Sequence, residues 1–184
     1  MNEALLVMDV QNEIVERFVE HAEPLLAELA ETIAAARTAD VPVIYVRIAF
    51  RDGAPEVSPR NKAFAERAGS NAMSETSAAT QVHAAVAPQA GDIVVTKKRV
   101  SAFTGSDLEV VLRSLDVESL VLTGIATSGV VLSTLRQAAD LDYGITVLRD
   151  CCADGDAEVH RVLLEKVFPR QAIVVAAAEW RATL

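Results

Sequence analysis

Aromatic residues are scarce: five Phe, two Tyr and one Trp among 184 residues, 4% of the chain. They are scattered, so they make no stacking platform for single-stranded nucleic acid. Basic residues are also in the minority, 17 Lys and Arg against 26 Asp and Glu, for a net charge of −9. A phosphate backbone is held by clustered cations, so nucleic acid is not an expected partner. No apolar run approaches the roughly 18 residues that a membrane span needs. The opening MNEALLVMDVQNE carries Glu3 and Asp9, with neither a basic start nor a small-residue cleavage site, which is not a signal-peptide pattern. Only two cysteines occur, Cys151 and Cys152, adjacent and outside any CxxC or Cys/His ligand spacing. Neighbouring cysteines rarely bridge, because the ring is strained. A reducing, cytoplasmic setting follows as the expectation. His21, His83 and His160 form no HxH, HxxxH or HExxH pair. No metal and no cofactor is expected.

Half the chain, 51%, is apolar, which excludes disorder. The length suits one domain over residues 1–184 that buries about 70% of its unfolded surface. Six short apolar runs, at 4–8, 42–48, 92–96, 119–123, 145–148 and 172–175, are mostly rich in Val and Ile and continuous rather than alternating. That pattern predicts strands covered on both faces, as in a parallel sheet. Between them, 23–39, 106–115, 128–141 and 156–168 repeat apolar residues at helical spacing, with Pro42 and Pro169 at boundaries. The alternation predicts an α/β fold, a three-layer α/β/α sandwich around a parallel sheet. Residues 50–79, rich in Gly, Pro, Ser, Asn and charge, read as a long loop or lid, with a short helix near 61–67. Trp180 lies in a C-terminal stretch, 176–184, that reads as a short helix packing on the domain or on a second subunit.

Ligands of parallel sheets bind beyond the carboxyl ends of the strands. There the runs end in Asp9, in Arg47 and Arg51, in Lys97, Lys98 and Arg99 followed by Ser101, Ala102 and Phe103, in GIATSGVV at 124–131, and in Asp150, Cys151 and Cys152. Asp9 closes an apolar strand, where a carboxylate is costly without a partner. Lys97 reaches the same edge, and a shielded carboxylate–ammonium pair can move protons. The alternative is a helix cap at Asp9 and a solvated basic turn at 97–99, which fits at least two of those three residues. GIATSGVV lacks the Lys and Ser/Thr of a phosphate loop and the G-x-S-x-G of a serine-hydrolase elbow. What remains is a helix start, capped by Thr127 or Ser128, whose backbone amides offer an anion pocket. Arg47, Arg51 and Arg60 beside that rim suggest an anionic small substrate, with solvated surface charge as the alternative.

LLVMDVQNE, TKKRVSAF and TGIATSGVVLST, in this order and spacing, resemble the isochorismatase-like (cysteine hydrolase) superfamily across nearly the whole chain. The resemblance implies a six-stranded parallel, Rossmann-like sheet and an Asp–Lys–Cys triad. Its Asp falls on Asp9, and its Lys, four residues before the Ser of SAF, on Lys97. It also implies a cis peptide near Ile125–Ala126 and a homo-oligomer, dimer or tetramer. Metal-binding relatives carry His residues after the second strand, where this chain has Arg51 and Asp52. The family nucleophile falls six residues after Gly124, on Val130, and an alkyl group cannot attack a carbonyl. Isochorismatases likewise lack the cysteine, but carry a His near the position of Ser128.

These readings combine into a hydrolase acting on a small, anionic substrate. Asp9 is acid/base and Lys97 its charge partner. Ile125, Ala126, Thr127, Ser128, Gly129, Arg47, Arg51 and Phe103 bind substrate or a developing anion, and Val130 lines the place of the usual thiol. The reaction expected is non-covalent hydrolysis of a vinyl ether or a C–N bond. The rivals are a catalytically lapsed binding or assembly protein, and a nucleophile relocated to Cys151, Cys152 or Ser128.

Overall fold

The computed structural model describes residues 2–68 and 72–184. Met1 and residues 69–71 of the 50–79 insertion lie outside the described residues. Six strands form one all-parallel sheet: β1 (Glu3–Met8), β2 (Val43–Ile48), β3 (Ile93–Lys97), β4 (Ser119–Ile125), β5 (Gly144–Ala153) and β6 (Ile173–Val175). They stand in the order β3-β2-β1-β4-β5-β6. The expected three-layer α/β architecture is the one observed, and it explains why the runs do not alternate. Along β1, Leu5 and Val7 enter one core cluster while Ala4, Leu6 and Met8 enter the other. Each face of the sheet is covered, so every residue of a central strand has apolar neighbours.

One face packs α1 (Asn12–Phe18), α2 (Glu23–Thr38) and α7 (Ala177–Arg181). The other packs α4 (Leu108–Ser114), α5 (Leu132–Asp140) with the π-helical turn Thr127–Val131 ahead of it, and the residues that follow α6 (Ala157–Val162). α2 buries Leu25, Leu29, Ile33 and Ala36, three or four residues apart. Three helices end alike. Asp40, Asp116 and Asp142 each take a left-handed φ near 60°. The next N–H then closes on a carbonyl five residues back: Val41 on Ala36, Val117 on Leu112, Tyr143 on Ala138. This helix stop usually takes Gly or Asn, and Asp tolerates the same backbone. Among the described residues no helix is long and apolar enough to cross a membrane.

Three elements depart from the sequence expectation. β5 runs on to Ala153, because its pairing with β4 shifts register between Leu122 and Gly124. The irregularity throws Arg149 and Asp150 out to solvent. They mimic a strand end, while Cys151 and Cys152 are interior strand residues, so the carboxyl edge of β5 is Asp154. α1, NEIVERF, was not expected; it is seven residues long with no side-chain cap. Among the described residues of the insertion the α-helix is α3 (Ala65–Ala68), shorter than expected, and Phe64 folds back edge-on against Phe50, centroids 5.6 Å apart. Trp180 packs on the domain itself, its indole N–H donating to Glu3 Oε1 at 3.3 Å.

Candidate active site

β1 and β4 are the neighbours at which the chain order reverses, with β2 and β3 on one side and β5 and β6 on the other. Beyond their carboxyl ends lies the crevice where open α/β sheets bind ligands. Asp9 leaves β1 with a left-handed φ of 56°, its N–H donating to Val46 O at 2.8 Å. Asp is one of the few residues with a side chain that tolerate this conformation. Gln11 fixes the exit, with Oε1 accepting from Ile48 N and Nε2 donating to Ile48 O and Thr80 O, at 2.8, 3.0 and 2.8 Å.

Lys97, the last residue of β3, is 1% exposed and Asp9 5%. Lys97 Nζ lies 2.9 Å from Asp9 Oδ2 and donates at 2.9 Å to both Arg99 O and Val100 O. An ammonium has three N–H groups, so these partners use all of them. Asp9 Oδ1 is buried and has no hydrogen-bond partner among the described residues. Burial raises the Asp9 pKa above the usual carboxylate range, and Lys97 pulls the other way without cancelling the rise. Of the three basic residues at 97–99, only Lys97 turns inward. Lys98 Nζ binds Ala49 O and Glu75 Oε1, and Arg99 Nη2 binds Glu56 O.

The pair opens on a cavity of about 140 Å³, whose lining includes Ile14, Phe18, Ile48, Phe64 and Met73. Ile125, Ala126, Gly129 and Val130 complete the wall on the β4 side. The Ile125–Ala126 peptide is cis, at the place the resemblance implies. Val130 is 2% exposed and lines the same cavity as the ion pair.

The other sequence candidates lie elsewhere. Arg47 is engaged on the far side of β2, its Nε on Thr96 Oγ1 at 3.1 Å and its Nη1 on Glu75 O and Gln81 Oε1. Arg51 pairs with Glu56 at 2.7 Å, with an exposed guanidinium. Phe103 packs beside Tyr143, ring centroids 6.1 Å apart, in the core cluster of the α4 and α5 face. None of the three lines the cavity, because Arg47 and Arg51 meet nearer polar partners and Phe103 is drawn into the core. The backbone expectation also needs correction. Gly129 and Val131 donate their N–H groups to Ala126 O, and Ser128 N–H donates to Asp154 Oδ2 at 2.7 Å. The helix start is thus capped from β5 by Asp154, not by Thr127 or Ser128. Thr127 Oγ1 instead contacts Ala153 O at 3.1 Å and His160 Nδ1 at 2.8 Å. The sequence gives no sign of Asp154, since Arg149 and Asp150 make β5 look finished too early, and it marks His160 only as a histidine outside any metal-ligand spacing, not as the partner of Thr127. Among the described residues no group of three His, Cys, Asp or Glu side chains is placed to hold a metal ion.

The cysteines point to opposite faces of β5, Cys151 into the α2 side and Cys152 into the α5 side, and neither lines the cavity. Burial pushes the Cys151 thiol up to about 12 and raises Cys152 as well. Only thiolates alkylate readily. The native protein is therefore expected to take up no iodoacetamide at pH 8, and to add two groups after unfolding, as read by intact mass. A native adduct on either cysteine that also stops turnover would restore the relocated nucleophile.

The isochorismatase domain profile matches residues 3–179. An uncharacterized isochorismatase family protein of Bacillus subtilis is 31% identical, over 91% of this chain and 86% of its own. A ureidoacrylate amidohydrolase of Variovorax paradoxus is 33% identical, over 89% and 74% respectively. Among solved structures, an isochorismatase family protein from Burkholderia thailandensis aligns with a TM-score of 0.84 at 30% identity, over 100% of this chain and 95% of that one. The N-carbamoylsarcosine amidase of Thermoplasma acidophilum aligns at 0.79 and 25%, over 96% and 97%. With its profile spanning almost all the residues, the chain belongs to the isochorismatase family of hydrolases.

Proposed function

We propose that this hydrolase cleaves a C–N or vinyl-ether bond of a small molecule without a covalent intermediate, with Asp9 as the acid. The observation that carries the reading is the asymmetry of the Asp9 carboxyl. Oδ2 faces Lys97, while the buried Oδ1 has no partner among the described residues. Burial holds the Asp9 pKa above that of a free carboxyl, and Oδ1 is the oxygen left to hold the proton. That proton passes to the leaving nitrogen, or to the terminal carbon of a vinyl ether. Water adds at the carbon that becomes electron-poor, and the adduct collapses. The proton then shed returns to Asp9. Lys97 stabilises the carboxylate in the interval, and the apolar lining strengthens that interaction.

Val130 supports a route through water rather than sulfur. It stands where the resemblance assigns the family's thiol, and its isopropyl group has no lone pair to offer. The relatives that act on ureidoacrylate and N-carbamoylsarcosine favour the C–N bond and name the first two compounds to try. Apart from Asp9 and Lys97 the side chains of the lining are apolar. Lys97, the cation among the described lining residues, has no N–H to spare, so the carboxylate of either compound has to find its partner beyond this lining.

The acid assignment fixes a pH dependence. An acid must start protonated, so kcat/KM is expected to hold at low pH and to fall as pH rises through the raised Asp9 pKa. Lys97 lowers that pKa, so Lys97→Met moves the falling limb to higher pH while slowing the reaction. A pH–rate profile that rises over this interval instead makes Asp9 a base and removes the acid assignment. The rival reading, a site retained for binding alone, draws on the same Val130. It predicts no turnover from a panel of ureas, amides and vinyl ethers.

A further inference from the structure

We infer that His160 is a positioning residue for the β4 side of the cavity, and that it acts as the Nδ1–H tautomer through Thr127. This rests on the cavity being the reaction site. Thr127 is fully buried, so bulk solvent does not reach its hydroxyl. Its hydroxyl has one proton and two neighbours, Ala153 O at 3.1 Å and His160 Nδ1 at 2.8 Å. Ala153 O can only accept. If Thr127 donates to His160, two lone-pair oxygens face each other at 3.1 Å with no proton between them. If Thr127 donates to Ala153, both contacts are satisfied only when Nδ1 carries a hydrogen and donates to Oγ1. The second arrangement is the one a buried site sustains.

The consequence lies one turn further on. No side chain of the helix start caps it from within. Its first two residues are fixed from outside, Thr127 by Ala153 and His160, and Ser128 by Asp154. Gly129 and Val130, which follow directly, face the cavity that holds Asp9 and Lys97. His160 touches none of these lining residues' reacting partners; it sets where the wall stands. Removing its donor leaves Thr127 held by Ala153 alone and lets the wall relax away from Asp9.

The test begins with the ring itself. A long-range proton–nitrogen correlation spectrum of the labelled protein resolves the three imidazoles, assigned with His160→Asn. His83 is an internal contrast, since its Nδ1 accepts from Ala85 N at 3.2 Å and its proton belongs on Nε2. His160 is expected neutral and protonated on Nδ1 at neutral pH, and a proton on Nε2 overturns the inference. Two variants then separate positioning from bulk. His160→Leu fills the space without a donor, whereas the amide of His160→Asn can place an N–H near Nδ1. In His160→Leu, amide exchange at 127–131 is expected to speed up about tenfold, the scale of one lost buried hydrogen bond. With N-carbamoylsarcosine or ureidoacrylate, whichever is turned over, kcat falls by a similar factor at unchanged KM, and His160→Asn recovers it. Equal losses in both variants, or a change confined to KM, overturn the role. If Asp9→Asn leaves turnover intact, the proposed reaction fails by itself, while tautomer and exchange still report on His160.

Discussion

Asp9→Asn is expected to abolish turnover while leaving the protein folded. The amide is isosteric, its oxygen can still accept from Lys97, and the left-handed backbone at this position suits Asn as well as Asp. What disappears is the transferable proton. Loss of a general acid lowers rates by roughly 10²–10⁴-fold, and no second carboxyl lines the cavity to take its place. The measurement is kcat/KM on the first substrate found, beside the thermal midpoint of the same preparation. A melting temperature close to that of the parent with no turnover supports the reading; parental turnover ends it. Lys97→Met is the companion. It removes the cation and leaves a buried carboxyl, which can stay protonated, so the stability lost is less than the 3–5 kcal/mol or so of a stranded buried charge. The sign of the pH effect on stability follows. A carboxyl raised in the folded state keeps its full contribution below the unfolded value and loses it as pH climbs through the folded one. The parent therefore loses stability over that interval, and Asp9→Asn loses none from this site.

Gly124→Ala is expected to prevent folding, or to leave too little stability to purify. Gly124 sits opposite Met8 in the β1–β4 ladder with φ at +136°, a conformation L side chains rarely adopt. A Cβ there would lie 2.0 Å from Met8 O and 2.8 Å from Met8 C. These are backbone atoms of the central strand, so the strain has no flexible side chain to absorb it. The loss is expected to exceed about 4 kcal/mol, set against total stabilities of roughly 5–15 kcal/mol. Gly91→Ala is the contrast: φ is +101°, but nothing lies within 4 Å of the added methyl. It isolates the backbone penalty, on the order of 1 kcal/mol. Urea midpoints of the two variants decide the matter, and equal midpoints would show that β1 and β4 can part at this point. The close approach of Gly124 to Met8 brings the two strand ends together immediately before Asp9 and Ile125.

Much of the site was legible in the chain because burial leaves a local mark. A carboxylate at the end of LLVM and a lysine at the end of IVVT stand out where apolar runs stop. The motifs around them carry the family resemblance in order. Arg47 and Arg51 misled for the opposite reason. A cation near a strand end looks the same whether it faces a ligand or a neighbour, and here Thr96, Gln81 and Glu56 claim them. Asp154 was hidden by the register shift in β5, which no spacing records, and the role of His160 by the folding that brings α6 against Thr127. One signal was available: Asp154 and Asp156 flank a glycine just ahead of a helical pattern, a capping composition that marks where the strand has truly ended.

The sequence alone determined the six strands, most of the helices between them and the chemical character of Asp9, Lys97 and Val130, because periodicity and residue type act over a few positions of chain. Only the tertiary structure decided that β1 and β4 adjoin, that Lys97 spends all three hydrogens while one oxygen of Asp9 has no partner among the described residues, and that Asp154 and His160 hold the opposite wall. Those facts depend on which distant segments pack together, and packing is set by the whole core at once.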